Sequence, residues 1–285
     1  MQTVKLGRTN LEVSVVGLGC GGHSRLGLSH GKSEAHASRI VSHALELGVN
    51  FIDTARAYRT ESAIGEAVKG RRDQVVISTK SSAGSGDKLM SAADVVASLE
   101  LSLGRLQTDY IDVFNLHGVS LDQYPHCVNE LVPVLLEQKQ KGKIRYLGIT
   151  EEFISDPSHK MLQAALPDDF FDVVMVGFNI LNPSARKTVF PLTMEKNVAT
   201  QIMFAVRRAL SQPDALCEIV DKLVTAGDVQ EGALDSTNPL GFLQSHPGIH
   251  SIVQAAYRLC RYEPGTTVVL TGTGSEGHLT QNVES

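Results

Sequence analysis

Eight short runs rich in apolar and β-branched residues recur along this chain, each followed by a stretch with helical spacing. That alternation restricts the fold more than any other feature. The runs fall at 15–20, 49–53, 74–80, 110–117, 143–150, 171–178, 198–204 and 266–271. They are nearly continuous in apolar content, as strands buried on both faces of a parallel sheet must be. Between them apolar residues return every three or four positions, as at Ile40, Val41, Ala44, Leu45 and Leu47. Helices are thereby predicted over 33–47, 62–68, 91–103, 128–139, 160–165, 183–190, 214–226, 250–261 and 278–283. Eight strand–helix units close an α/β barrel of the (β/α)8 TIM type. Periodicity alone also allows an open doubly wound sheet; the count of eight favours the barrel. One barrel accommodates all 285 residues, so a single domain over 1–285 is expected. Two additions decorate it. Residues 6–14 alternate around Thr9-Asn10 and read as an N-terminal β-hairpin. Residues 205–265, between the seventh and eighth strands, read as a long helical insertion, and connections of that length usually serve as lids or binding loops.

Charge and cysteine usage exclude several classes of function. Acidic and basic residues are interspersed and sum to −5, which leaves no basic face for nucleic acid. Cys20, Cys127, Cys217 and Cys260 are scattered without a CxxC pair, so neither a disulfide scaffold nor a zinc site is expected, and a cytoplasmic location is. Residues 1–8 lack the apolar centre of a secretory leader, and no apolar run approaches membrane-spanning length. The expectation is a monomer or small homo-oligomer with no membrane or nucleic-acid partner.

In such barrels chemistry collects at the carboxyl ends of the strands. The second strand ends at Asp53, with Tyr58 just beyond it; the third ends at Lys80 and the fourth at His117. Each has a bland explanation alone, as a turn cap, a surface phenol, a snorkelling lysine or a scaffold histidine. Together on three successive strand ends they form an acid–base constellation. A phenol of pKa about 10 is too weak an acid near neutrality. A neighbouring ammonium favours the phenolate and lowers that value, while Asp53 would hold Lys80 charged. His117 would orient a carbonyl oxygen and assist the proton. No nucleophile or metal completes the set, so it requires a source of hydride.

These residues and their surroundings resemble the aldo-keto reductase family. Asp53, Tyr58, Lys80 and His117 match its catalytic tetrad, and the text around them matches at 48–55, 76–80, 102–112 and 142–145. The similarity runs from about Leu6 to Val283. The resemblance implies a (β/α)8 barrel that binds NADP or NAD without a Rossmann domain and interconverts an aldehyde, ketone or sugar with its alcohol. It makes Tyr58 the general acid, Lys80 and Asp53 its tuning partners, and His117 the residue that orients the carbonyl.

Two glycine-rich segments bear on the cofactor. Residues 17–22 satisfy GxGxxG after a strand, but 23–27 do not open a helix as a Rossmann fingerprint requires, so Gly21 reads as tight backbone beside the cofactor. Residues 272–277 follow the eighth strand and lead into a helix, an arrangement whose amides suit phosphate. By resemblance Gly272, Thr273, Gly274, His278 and Asn282 grip the nucleotide, and Asp53 lies against the cofactor. At the nicotinamide the sequence departs from the family. Thr150-Glu151 stand where it commonly has Ser-Asn, Met175 where it has Gln, and Met203, with Phe204 adjacent, where an aromatic often stacks. No Arg or Lys lies among 272–278, so NAD or dual use stays open beside the NADP that the resemblance implies; Arg207 and Arg208 are the candidates to supply charge at the pyrophosphate.

The substrate walls are expected from 21–33, 124–127 and 205–246, and the absence of Trp points toward a polar substrate such as a sugar. A second reading is a cofactor-binding sensor or accessory protein with little catalysis. A lyase or isomerase barrel would need a metal or Schiff-base site that the sequence does not offer.

Overall fold

All eight predicted strands form in the computed structural model, which describes every residue except Gly86 and Asp87, and the backbone only of Ser85 and Arg208. The strands are β1 (Val16–Gly19), β2 (Phe51–Asp53), β3 (Val76–Ser82), β4 (Ile111–Val119), β5 (Ile144–Glu151), β6 (Val173–Gly177), β7 (Ala199–Met203) and β8 (Val268–Thr271). They pair in parallel in chain order, and β8 closes onto β1. The (β/α)8 barrel expected from the alternation is therefore the fold.

The two-residue period of each strand sorts its side chains. Leu18, Ile52, Ile77, Phe114, Leu147, Val174, Ile202 and Val269 belong to the large core shared with the surrounding helices. Phe51, Val76, Val113, Val173, Ala199 and Val268 form a separate apolar plug. These residues begin or nearly begin their strands, so the plug fills the amino end of the barrel. The N-terminal hairpin closes that end, contributing Leu6, Leu11 and Val13 to the same cluster. Its strands, Thr3–Lys5 and Glu12–Ser14, lie further apart than the two-residue turn expected at Thr9-Asn10. A 3-10 turn over Gly7–Thr9 occupies the gap and ends on Asn10 in the left-handed region, φ 60°.

The helices covering the barrel are α1 (Glu34–Glu46), α2 (Glu61–Ala67), α3 (Ala92–Leu106), α4 (Val132–Gln140), α5 (Lys160–Ala165), α6 (Phe190–Lys196), α7 (Pro213–Thr225), α8 (Ile252–Tyr262) and α9 (Glu276–Glu284). Serine side chains cap four of them: Ser33, Ser91, Ser251 and Ser275 each accept a backbone N–H from the first turn. The helix expected at 183–190 is instead two pieces, Ala185–Thr188 and α6. Pro191 explains the restart, because it tolerates only a first helical turn. The stretch before α4 is a π turn, Cys127–Leu131.

In the insertion, Leu210, Leu216, Val220, Leu240 and Ala256 form a small apolar cluster of their own. Ile180 and Val206, which follow β6 and β7, pack against it. The insertion is therefore docked on the carboxyl-end rim. Among the described residues no helix is long and apolar enough to cross a membrane.

Candidate active site

Asp53 is the last residue of β2, and its carboxylate is buried against Lys80 of β3. Lys80 is wholly enclosed, and its Nζ donates at 2.7 Å to both Asp53 oxygens and at 2.7 Å to the carbonyl oxygen of Thr54. Three partners satisfy the three ammonium protons. Burial pulls the Lys80 pKa down, but the Asp53 carboxylate outweighs it and leaves the value raised, so the ammonium persists. Burial likewise lifts Asp53, while Lys80 and Ser78 hold it back. Lys80 does not end its strand as expected: β3 continues to Ser82 and β4 to Val119, with Ser82 pairing His117.

Tyr58 closes a 3-10 turn, Arg56–Tyr58, after β2. Its hydroxyl shares a hydrogen bond of 3.2 Å with His117 Nε2, and the rings meet edge to face at 5.5 Å. Lys80 Nζ lies 5.2 Å from the centre of the tyrosine ring. Burial raises the phenol pKa above its ordinary value, and Lys80 pulls against that shift without reversing it. The ammonium acts in the expected direction, but desolvation is larger and leaves the net shift upward. Burial, then Lys80, depresses His117 to about 3, so the imidazole is neutral near neutrality. Gly21 sits under this group: a Cβ there would lie 2.3 Å from the Tyr58 ring. Its bareness gives the phenol its seat.

Thr150 and Met175 are register neighbours on β5 and β6, and both are buried. Thr150 Oγ1 accepts the Gly118 N–H at 2.7 Å, which leaves its own proton free to donate. Strict alternation turns Glu151 out of the barrel when Thr150 turns in, and its carboxylate is buried between His159 Nδ1, at 2.8 Å, and the Gly177 N–H, at 2.8 Å. His159 Nε2 meets Ser184 Oγ at 2.8 Å. Glu151 therefore ties β5, β6 and their loops together, with both carboxylate oxygens engaged by His159 and Gly177. Met203 ends β7 on the same face as Gln201. Phe204 follows in the left-handed region, φ 63°, between Phe153 at 5.8 Å and the Arg207 guanidinium at 4.6 Å. Arg207 is exposed there, and the Arg208 side chain lies outside the described residues.

Beyond β8, Gly272 is exposed and Thr273 buried, with Thr273 Oγ1 accepting the Ser275 N–H at 3.1 Å. Gly274 is pressed onto the loop after β1, where a Cβ would come within 2.6 Å of Gly27 N, and His36 Nε2 meets its carbonyl oxygen at 2.8 Å. His278 is exposed in the first turn of α9. Asn282, two turns in, donates to Thr271 Oγ1 at 2.8 Å. Of the expected substrate walls, Tyr124 is committed elsewhere, donating to Asp168 at 2.7 Å, and Cys127 is buried.

Sequence reasoning missed a polar group beneath Asp53: Ser78 Oγ lies 3.1 Å from Asp53 Oδ1, with Asn115 and Gln201 around it. A signal existed. Ser78 and Asn115 stand two residues before Lys80 and His117, hence on the same inward face.

The family model described as the aldo/keto reductase family matches residues 17–285. The L-galactose dehydrogenase of Arabidopsis thaliana is 36% identical over 152 residues, which cover 51% of this chain and 47% of that protein. An NADH-specific methylglyoxal reductase of Escherichia coli is 28% identical over 229 residues, 74% of this chain and 69% of that protein. Among solved structures, the holo form of an aldo-keto reductase from Bacillus halodurans covers 100% of this chain and 90% of its own, at 29% identity and a TM-score of 0.76.

Proposed function

Because this chain belongs to the aldo/keto reductase family, an oxidoreductase family acting on small carbonyl compounds with NADP or NAD, we propose that it reduces an aldehyde, ketone or sugar with Tyr58 as the acid. The observation that carries the reading is the Tyr58 hydroxyl, 3.2 Å from a neutral His117 and above a sealed Lys80–Asp53 pair. When bound, the nicotinamide supplies the hydride that reaches the carbonyl carbon. Tyr58 gives its proton to the carbonyl oxygen as that oxygen becomes an alkoxide, and the nearby ammonium stabilises the phenolate left behind. His117 Nε2 orients the oxygen and excludes a wrong approach. In the oxidative direction Tyr58 takes the proton back.

The residues present fit the cofactor in part. Thr150 keeps a donatable proton for the carboxamide, and the bare backbone of Gly272 with the capped start of α9 suits a phosphate. Gly274, closed against Gly27, itself offers no cationic side chain to the 2′-phosphate of NADP. We therefore favour NAD or dual use, a preference that the NADH-specific relative shares. The four cysteines are free thiols, three of them buried, which supports a cytoplasmic setting.

Titration with NADH and NADPH, then a carbonyl and sugar panel with the better cofactor, tests the proposal. Tyr58→Phe is expected to lower kcat at least 100-fold, on the order of what general acid catalysis supplies, with cofactor Kd nearly unchanged. A variant that keeps its rate removes Tyr58 from the role. The withdrawal of Glu151 from the mouth favours one alternative, a cofactor-binding sensor. Tight cofactor binding with no turnover across the panel would establish that instead.

A further inference from the structure

Below the Lys80–Asp53 pair the barrel interior is polar. Ser78 Oγ lies 3.1 Å from Asp53 Oδ1, 3.0 Å from Asn115 Nδ2 and 3.2 Å from Gln201 Nε2. All four residues are buried. The direction of the single Ser78 proton follows from what its neighbours can do. Asn115 Nδ2 also donates to the carbonyl oxygen of Thr79 at 3.1 Å. A carbonyl only accepts, so the Asn115 amide is fixed with its NH2 toward Ser78, and one hydroxyl lone pair is taken. Gln201 offers Ser78 both its amide atoms, Nε2 at 3.2 Å and Oε1 at 3.4 Å. The Asp53 carboxylate is the nearer acceptor and the charged one, so it takes the proton while Gln201 donates. Asp53 then receives Lys80 on both oxygens and Ser78 on Oδ1.

This arrangement has a visible cost elsewhere. Asn115 Oδ1 is buried without a hydrogen-bond partner. It occupies space that any side chain at position 148 would need, since a Cβ there would lie 2.1 Å from it. Gly148 of β5 is therefore part of the device: it makes room for the amide pose that aims the NH2 at Ser78.

We propose that Ser78, oriented by Asn115 and Gln201, is a positioning residue for carbonyl reduction, committing its only proton to Asp53 so that the carboxylate stays ionised and turned to Lys80. The inference rests on the reading of Tyr58 as the acid. Ser78 touches no reacting atom; it acts through Asp53, then Lys80, then the phenol. The titratable groups facing Asp53 are Lys80 on β3, Tyr58 on the loop after β2 and Cys20 just after β1, with His117 on β4 beyond Tyr58. Of these Lys80 alone bonds to it, and Ser78 supplies its remaining side-chain donor.

The test pairs kcat/KM against pH with carbon-13 NMR titration of aspartate carboxyls in the full chain, the Asp53 signal being assigned by its loss in Asp53→Asn. Ser78→Ala should move the Asp53 titration and the acid limb of kcat/KM upward by about one pH unit, the scale of one lost charge-assisted hydrogen bond. Ser78→Thr, which keeps the hydroxyl, should restore both. Gln201→Leu, which removes the N–H that polarises the Ser78 hydroxyl but leaves Asp53 as its acceptor, should give a smaller upward shift. An unchanged Asp53 titration in Ser78→Ala overturns the proposal, whatever the rate does. A shifted titration in a protein that turns over no carbonyl upholds the hold of Ser78 on Asp53 but overturns its role in carbonyl reduction, together with the reading of Tyr58.

Discussion

His117 shows how burial decides a residue's role. Its pKa is depressed from 6.5 to about 3 by desolvation first and by Lys80 second. A neutral imidazole can share one hydrogen bond with Tyr58 and leave proton supply to the phenol. The depression also links the site to stability. A group with a lowered folded-state value stabilises the fold above its unfolded pKa, near 6.5, and loses that contribution as pH falls toward about 3. Denaturant unfolding should therefore weaken across this window, and His117→Gln should flatten the decline by roughly 1–3 kcal/mol. Equal slopes for the two proteins would mean that His117 is charged or solvated in the fold. Asp53, Tyr58, Lys80 and His117 were legible as a group because each is a distinct polar residue type in or just beyond the carboxyl half of a strand. The sign of the Tyr58 shift was not, since the sequence shows the neighbouring charge but not the depth of burial that overrides it.

At the level of strands and loops, Glu151 is the instructive case. Matching it to a family position placed it on the cofactor; the alternation of β5 already placed it outside once Thr150 was inside. The structure follows the alternation. Glu151 joins the end of β5 to the Gly177 N–H of β6 and, through His159, to Ser184 beyond it. Glu151→Ala would strand the imidazole and the amide together. A loss of about 3–5 kcal/mol is expected, the usual penalty for removing one partner of a buried pair. Cofactor Kd should rise with it, because the rim that carries Phe153 and Phe204 loosens. Calorimetry and cofactor titration on the same preparation check both. Had Glu151 faced the nicotinamide, binding would suffer while stability stayed near wild type. The helix split at Pro191 and the overrun of β3 and β4 were hidden for another reason: pairing partners and first-turn prolines set element ends, and periodicity does not register them.

Across the whole molecule the insertion over 205–265 is a satellite with its own small core, docked on the carboxyl-end rim. Its apolar cluster is far smaller than the main one. Leu216→Ala should therefore loosen the insertion by about 2–4 kcal/mol locally while the barrel's melting transition barely moves. Limited proteolysis should then cut within 205–265 first, and KM should rise several-fold with kcat little changed. A matching drop in the melting temperature would show the insertion to be integral to the barrel. The other end of the molecule makes a different kind of statement. The hairpin and the plug of Phe51, Val76, Val113, Val173, Ala199 and Val268 fill it with buried apolar side chains. On the proposed reaction the barrel would then be a blind alley entered from its carboxyl end. Cofactor and carbonyl would have to pass through in file, and whichever sits deeper would arrive first and leave last. The stopper, far from Tyr58, would be what makes the traffic orderly.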